Sequence, residues 1–284
     1  MFNNQFFARM STLTNAWSFF KLALNGTSLR DKWLVFLLCC LVSAGRYRKR
    51  GRSWLLRSIS RCANGAYVSF RCRTPRMSRR IEFQMRRGNE YDYLVGGELV
   101  TGAYVIPHFT PQTIVDGGAN IGMFSVLAAA CFPDARLTCY EPDPQNMKML
   151  RRNLDANHVS AELLQNGLWG SNKDLYFHAQ GSSIGFVDDQ PTGTAISCVL
   201  PKIGPECWLK LDVEGAEYEV LPALFDLGIY PRWITMEIHY FDTKGHFLLN
   251  LLRQHGYQIT GGEDSAANCA NILAEIPVSQ CTPV

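Results

Sequence analysis

Thr113-Ile114-Val115-Asp116-Gly117-Gly118-Ala119-Asn120-Ile121-Gly122 is a short apolar strand running into a glycine-rich turn, and its reading decides the fold. Ile114 and Val115 are β-branched. Gly117, Gly118 and Gly122 permit backbone geometries closed to other residues, and apolar residues return at helical spacing from Met123 to Cys131. In an α/β sheet, such a turn at the carboxyl end of a strand lets a ligand lie against bare backbone and a helix N-terminus. Glu141 ends the next apolar strand, Arg136 to Tyr140, twenty-five residues after Asp116. A carboxylate there can accept both hydroxyl hydrogens of a ribose. Together these features point to an adenosine-containing cofactor; the alternative is an ordinary strand, turn and helix in a domain that binds nothing.

The turn's details choose among cofactors. A dinucleotide fold wants Gly-x-Gly-x-x-Gly so that a pyrophosphate can reach the helix N-terminus. Here the spacing is Asp116-x-Gly118-x-Asn120-x-Gly122, with a carboxylate at the strand end. That carboxylate would repel a pyrophosphate but could engage the ammonium of a bound amino acid, directly or through water. S-adenosyl-L-methionine is a cationic amino-acid ligand without phosphates, and Asp116, Gly118, Asn120, Gly122 and Glu141 are its candidate binding residues.

With 284 residues and 47% hydrophobic composition, the chain can bury a full α/β core and carry an extra segment. The net charge of +3 hides an asymmetry. Residues 1–87 hold 18 Lys and Arg against 2 acids, and residues 88–284 hold 10 against 23. The basic front would seek anionic lipid, an anionic polymer or the acidic body of its own chain; otherwise it is a solvated face. Ten cysteines with no C-x-x-C pair, several inside apolar runs, indicate reduced thiols in a cytoplasmic-type compartment rather than disulfides or a zinc site. Cys62 and Cys72 are the pair to check.

Residues 1–66 form a helical, basic extension. The apolar run Trp33 to Ala44 is twelve residues long, about 18 Å as a helix against a hydrocarbon core of about 30 Å, so it is a poor membrane span. Basic residues follow it instead of preceding it, unlike a cleaved signal peptide. Residues 33–52, with Arg46 to Arg52 behind the apolar run, suit either a peripheral anchor on the anionic inner membrane face or a helix that packs on the catalytic domain or a second subunit. Residues 67–112 read as a small β-rich module, with strands Tyr67–Arg71 and Arg80–Met85 joined at Pro75 and a short helix over Tyr91–Val100. Its expected place is over one edge of the cofactor or acceptor pocket.

From 113 to 284 strands and helices alternate, implying a parallel sheet with right-handed crossovers. Asp143 caps a helix with Pro144 at its first position. Ala161 to Leu164 is the third strand, and Asn166 and Gly167 at its end would lie near an adenine ring, with Trp169 as a wall or as core. Residues 170–205 are less periodic and read as a hairpin plus a mobile cover. Next, Cys207 to Leu211 is a strand that delivers Lys210, Asp212 and Glu214 to its carboxyl end, and Gly215 starts the turn into a helix where Pro222 implies a late start or a kink. The strand Trp233 to Ile238 brings Glu237 and His239 to the same edge. A helix from Gly245 to His255 and strands near Tyr257–Thr260 and Asn271–Ile276 close the chain.

Four segments carry a family likeness: Ile114 to Gly122, Tyr140 to Pro144, Leu209 to Glu217 and Met236 to His239. Over roughly residues 67–276 the chain resembles the FkbM family of S-adenosylmethionine-dependent methyltransferases. The resemblance implies a class I methyltransferase sheet, Rossmann-like and seven-stranded, mostly parallel with an antiparallel last pair. It also implies O-methylation of a hydroxyl on a sugar, polyketide or related secondary or surface metabolite. Two departures leave the acceptor open: Ser197 to Pro201 stands where the family commonly has a Thr-x-x-Leu-Asp segment, and the covering segment is short.

Methyl transfer displaces a sulfonium in line, so the protein must align the acceptor oxygen and take its proton. A sugar or aliphatic hydroxyl is a weak acid, which makes a nearby base valuable. His239 is the favoured base, Asp212 the second choice; Asp212 and Glu214 would orient acceptor or cofactor, and Lys210 would hold the carboxylates. In the bland alternative Lys210 pairs with Glu217 or Glu237 and His239 is a bonded strand-end residue. No metal is required by the spacing. A nucleic-acid substrate is disfavoured, because Asp212-Val213-Glu214-Gly215 lacks the aromatic residue that stacks a flipped base and adds negative charge. The non-enzymatic alternative is a silent methyltransferase-fold binding or assembly protein at an anionic membrane surface.

Overall fold

A computed structural model of the chain describes residues 24–29, 31–33, 67–72, 76–86, 89–101, 104–180, 184–262 and 268–277. The basic stretch Arg46–Arg52, the apolar run after Trp33, the turn at Pro75 and the thiol of Cys62 lie outside the described residues. So does all but a few residues of the helical extension expected over 1–66. Among the described residues no helix is long and apolar enough to cross a membrane. The chain divides into two compact units: Met1–Tyr104 with Ile121–Cys131 and Lys148–Val159, and Val105–Asn120 with Phe132–Met147 and Ser160–Val284.

In the first unit, β1 (Tyr67–Cys72) and β2 (Ile81–Arg86) pair antiparallel. Alternation puts Ile81, Phe83 and Met85 on one face, all fully buried. Helix α1 (Glu90–Thr101) follows, with Tyr91 N–H bonded to Asn89 Oδ1 at its start. Buried Asp92 takes both the backbone N–H and the guanidinium of Arg86. This unit also holds α2 (Met123–Cys131) and most of α3 (Pro144–Ala156). Among the described residues no third strand pairs with β2, and two asparagine side chains, Asn153 of α3 and Asn157 just after it, bond to its edge. Asn153 Oδ1 accepts Gln84 N–H at 2.8 Å while its Nδ2 donates to Gln84 O at 3.1 Å. Asn157 Oδ1 accepts Glu82 N–H at 2.8 Å, and its Nδ2 donates back to Glu82 O. Two residues along a strand rise about 6.8 Å and four along a helix about 6 Å, so side chains one helical turn apart can follow a β edge.

The second unit is built on a seven-stranded sheet in the order β12-β13-β11-β10-β3-β4-β5. Its strands are β3 (Thr113–Gly117), β4 (Arg136–Tyr140), β5 (Glu162–Leu164), β10 (Cys207–Leu211), β11 (Trp233–His239), β12 (Gln258–Gly261) and β13 (Cys269–Glu275). The five from β11 to β5 run parallel, and β13 pairs antiparallel with both β11 and β12. This is the class I methyltransferase sheet. β3 is central and the chain turns back across it from β5 to β10, so the adjacent carboxyl ends of β3 and β10 form the switch point at which open α/β sheets bind ligands. Helices α4 (Glu217–Asp226) and α5 (His246–Gln254) bury Val220, Leu221, Leu224, Leu248 and Leu252 with Leu209, Leu211, Ile234, Met236 and Ile238 in one core. Alternation therefore turns Lys210 and Trp208 to the other face of β10. α4 starts at Glu217 and carries Pro222 inside it, so the late start that would have put the proline in the first turn is not observed.

One expectation for the later part of the chain needs correction. Residues 170–205 do not form a single hairpin with a cover. Strands β7 (Lys173–Gln180), β8 (Ile184–Asp188) and β9 (Thr194–Val199) join β6 (Gly167–Leu168) in a four-stranded sheet ordered β6-β9-β7-β8. β6 pairs parallel with β9 thirty residues downstream, which no local pattern encodes. The helix expected from about Gly245 to His255 is α5, with Gly245 and His255 as its caps, and a π-helical turn over Phe241–Gly245 precedes it. The six described cysteines are free thiols, and burial pushes Cys72 and Cys207 up to about 12.

Candidate active site

The turn after β3 is clasped to the end of β4. Gly118 and Ala119 both donate their N–H groups to Tyr140 O, at 3.0 and 2.9 Å, and Asn120 N–H goes to Glu141 Oε2 at 2.7 Å. Three successive amides that would cradle a phosphate are thus taken up inside the fold. Glu141 Oε1 accepts Asp143 N–H at 2.9 Å. Its carboxylate is fixed by backbone on both sides, and each oxygen can still accept more. Burial pushes this carboxyl up to about 7, against the pull of the Asp143 and Asn120 amides. Gly122 lies in the other unit. There its φ of +88° and missing side chain admit Leu150 of α3, whose Cδ1 would stand 2.7 Å from a Cβ at that position.

Asp116 is fully buried, and so is its cation. Lys210 Nζ lies 3.4 Å from Asp116 Oδ1 and 3.6 Å from Asp212 Oδ2, and it donates to Gly118 O at 2.7 Å and Gly117 O at 3.3 Å. Burial pulls the ammonium down, but Asp116 and Asp212 outweigh it and hold Lys210 above its ordinary value. Lys210 pairs with these two acids, not with Glu217 or Glu237. The loop after β10 closes on the same turn: Asp212 N–H donates to Gly117 O at 3.1 Å, and the Asp212 carbonyl packs against Gly118. Asp212 is about two-fifths exposed, so its carboxylate faces outward from the buried pair.

Beside this network stands His239, last residue of β11 and nine-tenths buried. Its Nδ1 is 2.9 Å from Glu217 Oε1 and its Nε2 is 3.2 Å from Glu214 Oε2. Only an imidazolium donates from both nitrogens. Burial alone would lower His239, but the hydrogen bonds and charges of Glu214 and Glu217 raise it well above 6.5. Glu217 is the buried first residue of α4 and also accepts Val213 N–H at 3.1 Å. Sequence spacing did not single it out as a site residue; the available signal was an acid in the first turn of a helix whose inner positions are apolar. Tyr218 Oη donates to His239 O at 2.7 Å.

Three strand ends at this edge pass into left-handed backbone without glycine: Asn120 after β3, Glu214 after β10 and Tyr240 after β11, with φ of 52°, 54° and 52°. Strained residues of this kind gather where a fold does chemistry. Glu237 lies near His239 and Cys269, their ligand-type atoms within 4.8 Å of one another, as are those of Asp212, Glu214 and His239. Either triad has the composition for a divalent ion. The pairing of both His239 nitrogens with carboxylates instead marks a proton-carrying group.

Asn166 and Gly167 fall elsewhere. Asn166 Nδ2 donates to Ser197 O at 3.0 Å, and Gly167 packs against Cys198 within the four-stranded sheet. Trp169 is covered by Lys173, whose Nζ is 4.7 Å from the ring centre. The structure thus brings Asp116, Gly118, Lys210 and Asp212 into one network and Glu214, Glu217 and His239 into another.

One family, described as the methyltransferase FkbM domain, matches residues 116–259, from Asp116 through every residue of both networks. The chain belongs to the FkbM methyltransferase family. Among related proteins, this FkbM methyltransferase is 27% identical over 192 residues to Methyltransferase 1 of Beauveria bassiana, covering 55% of this chain and 76% of that one. It is 26% identical over 237 residues to the AMB antimetabolite synthetase AmbE of Pseudomonas aeruginosa, covering 62% of this chain but 11% of that protein. A 60-residue stretch is 42% identical to Methyltransferase sdnD of Sordaria araneosa, 20% of this chain and 23% of that one. Among solved structures, the precorrin-6Y C5,15-methyltransferase of Geobacter metallireducens aligns with 18% identity and a TM-score of 0.37 over 58% of this chain and 80% of that one. The tRNA (uracil-54, C5)-methyltransferase of Pyrococcus abyssi, solved with S-adenosyl-L-homocysteine, aligns with 12% identity and a TM-score of 0.41 over 74% and 44%.

Proposed function

We propose that this FkbM methyltransferase uses S-adenosylmethionine to methylate a hydroxyl oxygen of a small-molecule or glycan acceptor. The observation that carries the reading is His239 between Glu214 and Glu217 at the carboxyl edge of the sheet: a buried acid–base group beside a network that holds a strand-end carboxylate. A weakly acidic hydroxyl needs such a group to accept its proton.

The residues present fit the cofactor. The amides of the glycine turn are engaged with Tyr140 and Glu141, which suits a ligand without phosphates. Glu141 keeps acceptor capacity for ribose hydroxyls. Asp116, Gly118 and Asn120 shape the turn, and Lys210 sets its positive charge against the Asp116 carboxylate. When bound, S-adenosylmethionine supplies a methyl group on a sulfonium, and its loss leaves a neutral thioether. Asp212 and Glu214, each partly exposed, orient the acceptor hydroxyl by accepting its hydrogen bonds. His239 must first release its Nε2 proton through Glu214 to solvent. It then takes the hydroxyl proton on Nε2 as the oxygen–carbon bond forms. Glu237 lies beside His239 on the same face and adds negative charge near the imidazolium.

The test pairs calorimetric titration with S-adenosylhomocysteine and a screen of sugar and polyketide alcohols with isotopically labelled methyl donor. Micromolar binding, lost in Glu141→Ala, with label recovered on oxygen, is the expected result. Label recovered on carbon or nitrogen, or no binding by the folded protein, would overturn it.

A further inference from the structure

Glu217 is a fully buried acid at the first turn of a helix, a place where acids ordinarily stand in solvent. A buried carboxylate is costly unless it is paired. Glu217 uses only one oxygen for hydrogen bonds: Oε1 accepts Val213 N–H, from the loop that carries Glu214, and faces His239 Nδ1. Oε2 is buried and, among the described residues, has no hydrogen-bond partner. The single bonded oxygen thus ties the loop after β10 to the imidazole at the end of β11, and it occupies the ring nitrogen on the side away from Glu214.

We infer that Glu217 is the positioning residue of the transfer: it holds His239 by Nδ1–H, so that Nε2 faces Glu214 and the acceptor, and it stabilises the imidazolium that forms when Nε2 takes the hydroxyl proton. This rests on the hydroxyl-acceptor reading above. The step balances. The acceptor oxygen forms a bond to the methyl carbon, the carbon–sulfur bond breaks with its electron pair on sulfur, and the hydroxyl proton ends on His239 Nε2. Glu217 gains no proton; its charge stays opposite the ring throughout.

Among the described residues, six charged or titratable groups face the ring or its backbone. Glu214 and Glu217 bond to it, Asp212, Glu237 and Cys269 stand close by, and Tyr218 bonds its backbone carbonyl. Of the two carboxylates on the ring nitrogens, Glu217 is the nearer and the fully buried one, so it sets the neutral tautomer. Glu214 is one-third exposed and free to follow the proton to solvent.

The experiment is long-range proton–nitrogen NMR of the histidine side chains, titrated with S-adenosylhomocysteine present, on wild type, Glu217→Gln and Glu217→Asp, with His239→Gln to assign the resonance. The expected wild-type result is a His239 that titrates well above 6.5 and whose neutral form carries its proton on Nδ1. Glu217→Gln should lower the midpoint by roughly one pH unit or more, the size of effect a close opposite charge exerts, and mix the tautomers. Glu217→Asp should retain the charge but weaken the tautomer preference. A neutral wild-type ring protonated on Nε2, or a midpoint and tautomer unchanged in Glu217→Gln, would overturn the inference; the first of these can be read even if Glu217→Gln does not fold. The readout needs no acceptor. A failed hydroxyl screen beside the expected NMR result would therefore count against the hydroxyl reading, not against the placement of Glu217.

Discussion

Gly118→Ala separates two explanations for a motif glycine: room for a ligand, or room for the protein itself. Gly118 has φ of +73°, and a Cβ added there would lie 3.0 Å from the Asp212 carbonyl carbon and closer still to its oxygen. Both atoms belong to backbone, which cannot swing aside as a side chain can. Left-handed backbone costs a non-glycine residue about 1–2 kcal/mol, and overpacking a tight site adds about 1–3 kcal/mol. The sum is about 2–5 kcal/mol. At about 2–4 °C per kcal/mol for a chain of this size, Tm should fall by roughly 4–20 °C. The turn should separate from the loop after β10, stretching the Asp212 N–H to Gly117 O bond of 3.1 Å. Differential scanning calorimetry and titration with S-adenosylhomocysteine read the two effects. Affinity should drop at least tenfold even though alanine adds little bulk toward a ligand. A Tm within 1 °C of wild type, with binding lost, would refute the reasoning and return Gly118 to the role of ligand clearance.

Three further outcomes are expected. The Glu141 carboxyl stands at about 7 instead of 4.5, so in the free protein its ionisation opposes folding increasingly between those values. Ribose binding needs the ionised form, so S-adenosylhomocysteine affinity should rise by up to about tenfold per pH unit below 7 and level off above it; Glu141→Gln should flatten the calorimetric profile. Lys210→Met should destabilise by about 3–5 kcal/mol, because it leaves Asp116 buried without its cation, and Asp116→Asn in the same chain should recover part of the loss in denaturant melts. Asn153→Ala and Asn157→Ala should each remove about 1–3 kcal/mol and expose different amides to hydrogen exchange, Gln84 in the first and Glu82 in the second.

The parts of the fold that were legible in the sequence are those whose residue types answer to local geometry. Asp116 to Gly122 and Lys210 to Glu214 lie at strand ends where glycines and charges interrupt apolar runs, and both fall where expected. Alternation located Glu237 and His239 on one face of β11. What was not legible depends on partners distant along the chain. Lys210 has three acids within seven residues on its C-terminal side, yet it pairs with Asp116 and Asp212, because alternation turns it toward β3 and away from the α4 face. Glu217 is unremarkable until His239 arrives beside it from β11. Asn153 and Asn157 look like the solvent side of an amphipathic helix until the edge of β2 meets their amides, which bond Gln84 and Glu82 there. Asn166 precedes β6, whose parallel pairing with β9 brings its side-chain amide to Ser197 O.

The two networks divide the charge of one sheet edge. Asp116, Asp212, Glu214 and Glu217 are set against Lys210 and an imidazolium at His239, and Glu141 and Glu237 add to the negative side. An edge with this excess favours a cationic ligand and repels phosphate, whether in a dinucleotide or along a nucleic-acid backbone. In the proposed reaction the positive charge on the sulfonium before transfer becomes a proton on His239, which stands between two carboxylates. The half-open Glu214 is the group of that pair in contact with water, so the proton has a route outward while Glu217 stays fixed behind the ring. In the same proposed reaction the sulfonium's share of the attraction to this edge goes with the methyl group, while the amino-acid ammonium stays on the product and keeps its share.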